Sequence, residues 1–172
     1  MKRITLFLII IMMLGPISFA QKKLRIKCTE KHKLINGTKV FIIPPSGFRI
    51  HVNSQTFIHD ETEASLGAMQ SYTSIQSIIE HLSESYFQKK KYNVIECTKY
   101  KINAFNAVFY ELENEFYDRV TTKFILVLGN KNEYVMIESY CPKEYPLASV
   151  ALKKSMLTSF YDIDSVLIKK MH

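Results

Sequence analysis

The sequence lacks the residue spacings by which catalytic and metal sites are recognised. It has three cysteines without a CxxC pair, five histidines without an HExxH pair, and no GxSxG elbow for a serine nucleophile. Its five glycines do not gather into a phosphate-cradling loop before a helix. We therefore expect a protein that is not an enzyme and that has no cofactor or metal site.

One polar cluster has the side chains of a metal site without the spacing. His59, Asp60, Glu61 and Glu63 place an imidazole beside three carboxylates, which a cation could use. The glycine and the ligand spacing of a calcium loop are missing, so a solvated charge run between strands is the favoured interpretation. An enzyme would instead need His51 and His59 to converge with nearby carboxylates in a deep cleft.

The N-terminal residues 1–20 have the three parts of a secretory signal peptide. A cationic start, Met1-Lys2-Arg3, precedes the apolar run ITLFLIIIMML, which is shorter than the about 20 residues that span a bilayer. Ser18 and Ala20 satisfy the small-residue rule at the cleavage site. We therefore predict cleavage before Gln21 and a secreted or periplasmic protein, with an uncleaved N-terminal anchor as the alternative.

Positive charge is concentrated at the start of the predicted mature chain. Without Lys2 and Arg3 the chain keeps 21 basic and 16 acidic residues, a net charge of +5. The early basic residues, opposed only by Glu30, are Lys22, Lys23, Arg25, Lys27, Lys31 and Lys33. Because few apolar residues recur there, residues 21–37 are interpreted as a flexible basic leader. It could touch an anionic membrane, an envelope polymer or an acidic protein, whereas nucleic acid is not expected as a partner outside the cytoplasm.

The cysteines form an odd set, Cys28, Cys97 and Cys141, so at most one internal disulfide exists and three pairings are open. An oxidising compartment permits a bridge without requiring one. Cys97 and Cys141 lie in strand-like apolar runs, where a reduced cysteine behaves as a small buried hydrophobe. Free thiols are therefore the favoured state.

Short extended segments open the predicted domain. Residues 38–43 (TKVFII), 48–52 and 64–70 have the composition of strands. Between the first two, Pro44-Pro45-Ser46-Gly47 predicts a rigid corner after which Phe48 re-enters the core. A ligand-cradling loop is the less favoured interpretation, because glycines are sparse and no helix follows.

Two segments have helical periodicity. The apolar residues of the first are Ile75, Ile78, Ile79, Leu82 and Tyr86. Thr73 and Gln76 form a capping-box pair that predicts where this helix starts. The second begins near Pro146, and its apolar face comprises Ala148, Ala151, Leu152, Met156 and Phe160. Both segments are therefore predicted to be amphipathic helices that cover a sheet.

Four extended runs lie between the two helices, at residues 92–100, 105–113, 120–128 and 133–141. Their short separators predict an antiparallel four-strand meander, and residues 162–168 are either an edge strand or a tail. Residues 38–172 are therefore expected to form a single α+β domain with an antiparallel sheet flanked by helices.

Aromatic side chains are dense around the predicted meander. They include Tyr100, Phe105, Phe109, Tyr110, Phe116 and Tyr117. Most are expected in the core, although a tyrosine-rich sheet face is also suited to contact a partner.

Three stretches, VFIIPPSGF, KINAFNA and YPLASVALKKSMLTSF, resemble the corresponding places of the PsbP-like fold group, over residues 38–162. This group includes a photosystem accessory subunit, a Ran-binding nuclear transport factor and many bacterial envelope proteins. The resemblance implies an αβα sandwich used for binding and assembly rather than catalysis, and it transfers no site residue. We expect a non-catalytic extracytoplasmic domain that contacts a protein or envelope partner. The alternative is a small-molecule or lipid carrier with a pocket between helix and sheet.

Overall fold

Two β-sheets and three α-helices make up the part of the chain that the computed structural model describes, residues 21–51, 56–116, 119–164 and 167. The strands are β1 (Lys22–Leu24), β2 (Lys33–Leu34), β3 (Val40–Ile42), β4 (Arg49–Ile50), β5 (Phe57–Ile58), β6 (Ser65–Ser71), β7 (Asn93–Ile102), β8 (Phe105–Phe116), β9 (Arg119–Gly129), β10 (Tyr134–Pro142) and β11 (Phe160–Tyr161). The helices are α1 (Ile75–His81), α2 (Glu84–Lys89) and α3 (Pro146–Met156). The predicted signal peptide lies outside these residues and stays a prediction.

The larger sheet has eight strands in the order β1-β7-β8-β9-β10-β6-β5-β4. Strands β7 to β10 follow one another along the chain and lie side by side, each antiparallel to the next. Strand β1 pairs with β7 in parallel, so the sheet is mixed, whereas the sequence predicted an antiparallel sheet. The smaller sheet has the order β11-β3-β2. The predicted α+β class is confirmed.

Side chains of the long strands alternate between two apolar cores. On β8, Val108 and Tyr110 point to the face covered by α1 and α2, while Phe109 points to the face covered by α3. The first face, which we name the helix-pair face, is sealed by buried Phe87 of α2. The second is sealed by α3, and its Lys153 Nζ lies 2.7 Å from a carboxylate oxygen on each of two strands, Glu96 and Glu111. Helices therefore pack on both faces of the sheet.

The first predicted helix is two helices, and its predicted cap is wrong. Ser74, rather than Thr73, caps α1, because its side chain accepts a hydrogen bond from the Gln76 N–H. Ser83 has an extended backbone and its hydroxyl accepts from the Tyr86 N–H, so it caps a second helix. The helix therefore breaks at Ser83, although the helical spacing of apolar residues continues across the break.

Residues 21–37 do not form a flexible leader, which corrects that expectation. Leu24 and Ile26 pack against the α3-side core, while the basic residues beside them stay exposed. The Asn103 side chain accepts from the Ile26 N–H at 2.8 Å and donates to the Ile26 carbonyl at 3.0 Å. Ile35 is also buried. Alternating apolar residues therefore order this segment despite its charge.

The corner and the C-terminal region complete the fold. After Pro44 and Pro45 the chain turns through Gly47 at a φ of 83°, and Phe48 packs against the core as predicted. Phe160, expected on a helix, lies in β11 instead, because α3 ends at Met156. No strand occurs at residues 162–164, and residues 165, 166 and 168 lie outside the described part of the chain. Within that part no helix is both long and apolar enough to cross a bilayer.

Candidate functional site

The pair α1 and α2 crosses the helix-pair face from one end of the strands to the other. Helix α1 begins beside the β9–β10 turn, where the Ile75 N–H donates to the Asn130 carbonyl at 2.9 Å. Helix α2 ends where β7 begins, and the Tyr92 N–H donates to the Phe87 carbonyl at 2.9 Å. Because β7 and β9 both run antiparallel to β8, the end of β9 and the start of β7 lie at opposite ends of the sheet. The helix pair therefore leaves part of this face open on each side.

The opening beside β6 and β10 is rich in methionine and tyrosine. We name it the Met–Tyr corner and define it by Met69, Tyr92, Lys123, Met136, Glu138 and Tyr140. The strand register places Met69 opposite Met136, and Lys123 opposite Tyr140. Two cavities, of about 270 and 240 Å³, share Met69, Met136 and Glu138 in their walls. These side chains therefore line one continuous shallow surface.

A lysine lies at the centre of this corner. Lys123 Nζ is 2.9 Å from Glu138 Oε1, and its side chain is only 11% exposed. The same ammonium lies 4.8 Å from the ring centroid of Tyr140 and 5.7 Å from that of Tyr92. Each ring face is electron-rich, so both tyrosines add to the attraction of the carboxylate. The lysine is thus held in place by one ion pair and two aromatic rings.

The electrostatics keep this lysine protonated. Burial on its own lowers the pKa of Lys123, but its interactions with Tyr140 and the Glu138 carboxylate outweigh burial and raise the pKa above the ordinary value. Burial, followed by the neighbouring Tyr140, raises the pKa of Tyr92. A general base needs a pKa near neutrality, which a lysine reaches only when its pKa falls. Lys123 is therefore a fixed cation suited to binding.

Two of the acidic residues in the candidate metal cluster pair with different arginines and do not come together. Asp60 accepts two hydrogen bonds from Arg49, at 2.7 and 2.8 Å, and Glu63 pairs with Arg119 at 2.8 Å. The His59 ring packs against Phe48 with centroids 5.3 Å apart. Across the described residues, no three His, Cys, Asp or Glu side chains come together in a way that could hold a metal ion.

The two histidines of the proposed enzyme constellation lie on one surface hairpin. His51 directly follows β4 and His59 directly follows β5 on one hairpin, where Asp60 is exposed. The hydrogen bond from Arg49 is the largest cause that lowers the pKa of Asp60, and the two imidazoles contribute less. The histidines therefore lie near a carboxylate that is already paired on the surface.

The three cysteines are free thiols. Cys97 lies opposite Tyr110 on the helix-pair face, whereas buried Cys141 belongs to the α3-side core. Three strand spacings separate β7 from β10, roughly 14 Å, whereas a disulfide needs Cα atoms within about 7 Å. Burial raises the pKa of each thiol, which disfavours the nucleophilic thiolate.

A larger groove lies between the start of α3 and the β4–β5 hairpin. Its volume is about 510 Å³, and its walls include Phe48, His59, Tyr145, Leu147 and Ala151. Leu147 is 85% exposed on its rim. The groove has the size and apolar lining of a small-molecule site.

The sequence contains a signal for one part of the Met–Tyr corner. In β10, Met136, Glu138 and Tyr140 recur every second residue, which places them on one face of a strand. The partner strand β9 was predicted, but only the observed register shows that Lys123 meets Tyr140. Strand alternation could therefore have found the β10 side chains, whereas their lysine partner required the pairing.

Comparison with known proteins identifies a fold. No protein-family model matches the sequence, and no curated protein matches it. The solution structure of cyanobacterial PsbP (CyanoP) from Synechocystis aligns with a TM-score of 0.55 at 8% identity, over 86% of this chain and 99% of that one. The crystal structure of LpqN, involved in cell envelope biogenesis of Mycobacterium tuberculosis, aligns with a TM-score of 0.52 at 7% identity, over 70% and 81%. The predicted PsbP-like fold is therefore confirmed.

Proposed function

We propose that this chain, whose fold is PsbP-like, is a non-catalytic extracytoplasmic binding or accessory domain with a protein partner at the Met–Tyr corner. One protein of similar fold, LpqN, is involved in cell envelope biogenesis. The predicted signal peptide at residues 1–20 supports the same compartment. The protonated lysine and the raised pKa of each thiol support binding rather than catalysis.

The observation that carries this proposal is the exposure of large apolar side chains on a sheet face that is covered elsewhere. Met69 is 51% exposed and Tyr140 is 37% exposed. Methionine and tyrosine are enriched in protein interfaces, and methionine adapts its shape to a partner at low cost. A partner that covers this corner would bury both side chains.

The charged pair adds selectivity to that apolar surface. Lys123 and Glu138 are already partly desolvated, so a partner that covers them removes little further water. A partner that places a positive charge against Lys123 or a negative charge against Glu138 would be repelled, which lowers affinity. The corner therefore favours a protein with apolar side chains and a matched polar group.

Site-directed photo-crosslinking tests this function. A photoreactive residue at Met69 should give one saturable adduct in the envelope fraction, and excess unmodified protein should abolish it. The matched control is the same residue at Val150, which is 65% exposed on α3. Combining the probe at position 69 with Tyr140→Ala should weaken the adduct at least tenfold, as for a buried aromatic anchor. Equal adducts from both positions, or none from position 69, would overturn the proposal.

A carrier function is the second candidate, supported by the groove beside α3. Its volume of about 510 Å³ could hold an apolar ligand against Phe48 and Tyr145. Native mass spectrometry of freshly purified protein should then show bound mass that Leu147→Asp reduces. A spectrum of the bare chain alone, with the Met69 adduct retained, would exclude the carrier and keep the binding domain.

A further inference from the structure

The second opening in the helix-pair face is lined by basic residues. We name it the basic strip and define it by Lys23, Arg25, Lys27, Lys99 and Lys101, all exposed. Strand pairing places Lys23 beside Lys101, and Lys99 lies two residues earlier on β7. Leu24 and Ile26 face the core, so the basic residues between and beside them continue the row along the edge of the sheet.

None of these cations has a carboxylate partner among the described residues. The ion pairs of that part of the chain involve other basic side chains, namely Lys39, Arg49, Arg119, Lys123, Lys143 and Lys153. Glu30 is the only acid from residue 21 to residue 34. Like charges held this close repel one another, and an anion that lies along them relieves the repulsion.

Backbone pairing fixes the strip before any ligand arrives. The Asn103 N–H donates to the Leu24 carbonyl at 2.8 Å, and the Asn103 side chain makes two bonds to the Ile26 backbone. The Gln21 side chain donates to the Tyr100 carbonyl at 2.8 Å. A ligand therefore meets an ordered row and does not have to order a flexible tail, which favours affinity.

The shape of the face decides between a flat and a linear partner. The strip lies on a sheet, while α1 and α2 stand above the same face beside it. A helix with its side chains is about 10–12 Å thick, more than a lysine side chain extends, so a flat bilayer would meet the helices first. Alternate residues of a strand lie roughly 6.6 Å apart, a spacing that a flexible charged chain can follow.

We propose that the basic strip binds a linear polyanion, a chain with repeated negative charges, through several lysine and arginine contacts at once. This site is separate from the Met–Tyr corner and does not depend on the protein partner proposed there. The predicted contact of the basic segment with an anionic membrane becomes the competing outcome.

Binding of long-chain inorganic polyphosphate to the exported chain tests the proposal. Polyphosphate should bind at low salt, with monomeric phosphate far weaker, because only a chain engages several cations together. Log affinity should fall linearly with log salt concentration. Vesicles that contain phosphatidylglycerol should bind no better than neutral phosphatidylcholine vesicles. Preference for the anionic vesicles over polyphosphate, or no binding to either, would overturn the proposal.

A pair of matched variants locates the site. Lys99→Gln with Lys101→Gln removes two of the five cations, so the salt slope should fall by roughly two-fifths and the low-salt affinity by about tenfold or more. Lys89→Gln with Lys90→Gln makes the same charge change at the end of α2 and should leave both values unchanged. Melting temperatures should be similar, since all four side chains are exposed. Equal losses in the two variants would show a net-charge effect and refute the site.

Discussion

The helix-pair face is open on both sides of α1 and α2. The two open surfaces, the Met–Tyr corner and the basic strip, differ in chemistry. In the Met–Tyr corner a lysine is nearly buried, 2.9 Å from a carboxylate and beside two tyrosine rings. In the basic strip, Lys99 and Lys101 are exposed, and neither forms an ion pair with another described residue. A buried charge is tolerated only with its counter-charge, whereas an exposed charge keeps its water and stays available. The two openings therefore offer different chemistry to different partners.

Truncation of Phe87, which anchors the helix pair between the two surfaces, should have the largest effect on stability. Phe87 of α2 is buried and its ring lies 5.2 Å from that of Tyr110, so Phe87→Ala should destabilise the fold by about 3–5 kcal/mol. Urea unfolding measures the loss, with exposed Gln88→Ala as the control. A loss below about 1 kcal/mol would mean that the helix pair contributes little to covering this face.

Breaking the ion pair of the Met–Tyr corner should cost less. Lys123→Met leaves the Glu138 carboxylate without its partner, and because that carboxylate is one-third exposed we expect a loss of about 1–2 kcal/mol. Adding Glu138→Leu should restore part of the stability, since no charge then remains unpaired. A double-mutant cycle from urea unfolding measures the coupling, and simple additivity would contradict the pairing.

The alternation of β1 predicts that substitutions at neighbouring residues change stability by different amounts. Leu24→Ala should lower stability by about 1 kcal/mol because its partly buried side chain packs against the core. Lys23→Ala should change it by no more than about 0.5 kcal/mol, because this side chain is exposed. Thermal unfolding of both variants compares them directly. Equal, negligible effects would restore the interpretation of residues 21–37 as a leader.

The smallest effect on stability should be measurable only at alkaline pH. Burial, with a smaller contribution from Cys97, raises the pKa of Tyr110 to about 12 from its ordinary 10.0. A raised folded-state pKa gives stability that is complete below about pH 10 and lost as pH rises towards 12. Tyr110→Phe should therefore lose less stability between pH 9 and 11 than the parent protein, as urea unfolding would show. Exposed Tyr72→Phe is the control, and identical slopes for parent and Tyr110→Phe would refute the argument.

The long strands and α3 follow from local sequence patterns, which explains why they could be predicted. The runs at 92–100 and 120–128 correspond to β7 and β9, because each is apolar or alternating and ends at turn residues. Pro146 predicted the start of α3, since proline suits the first turn. The break at Ser83 was missed because apolar periodicity continues across it, and a cap depends on one hydroxyl.

The two surfaces were harder to predict because both depend on which strands meet. Residues 21–37 were interpreted by their charge, although Leu24 and Ile26 occupy alternate positions that suit an edge strand. Their partner, β7, is distant in the chain, so no local signal identifies it. The dispersal of the acidic cluster likewise depends on Arg119, which pairs with Glu63 from a distant strand.

The parallel pairing of β1 also has a consequence for folding kinetics. Hydrogen bonds join residues 77 and 79 positions apart, so closing this contact requires an entropically costly long loop. The N-terminal segment is synthesised before β7, so β1 can pair only once β7 has been made. Until then β7 has an open edge that could pair with another chain, and Lys99 and Lys101 on that strand discourage aggregation through their charge. Lys99 and Lys101 of the basic strip thus also discourage strand pairing at this edge whenever β1 is not docked on β7.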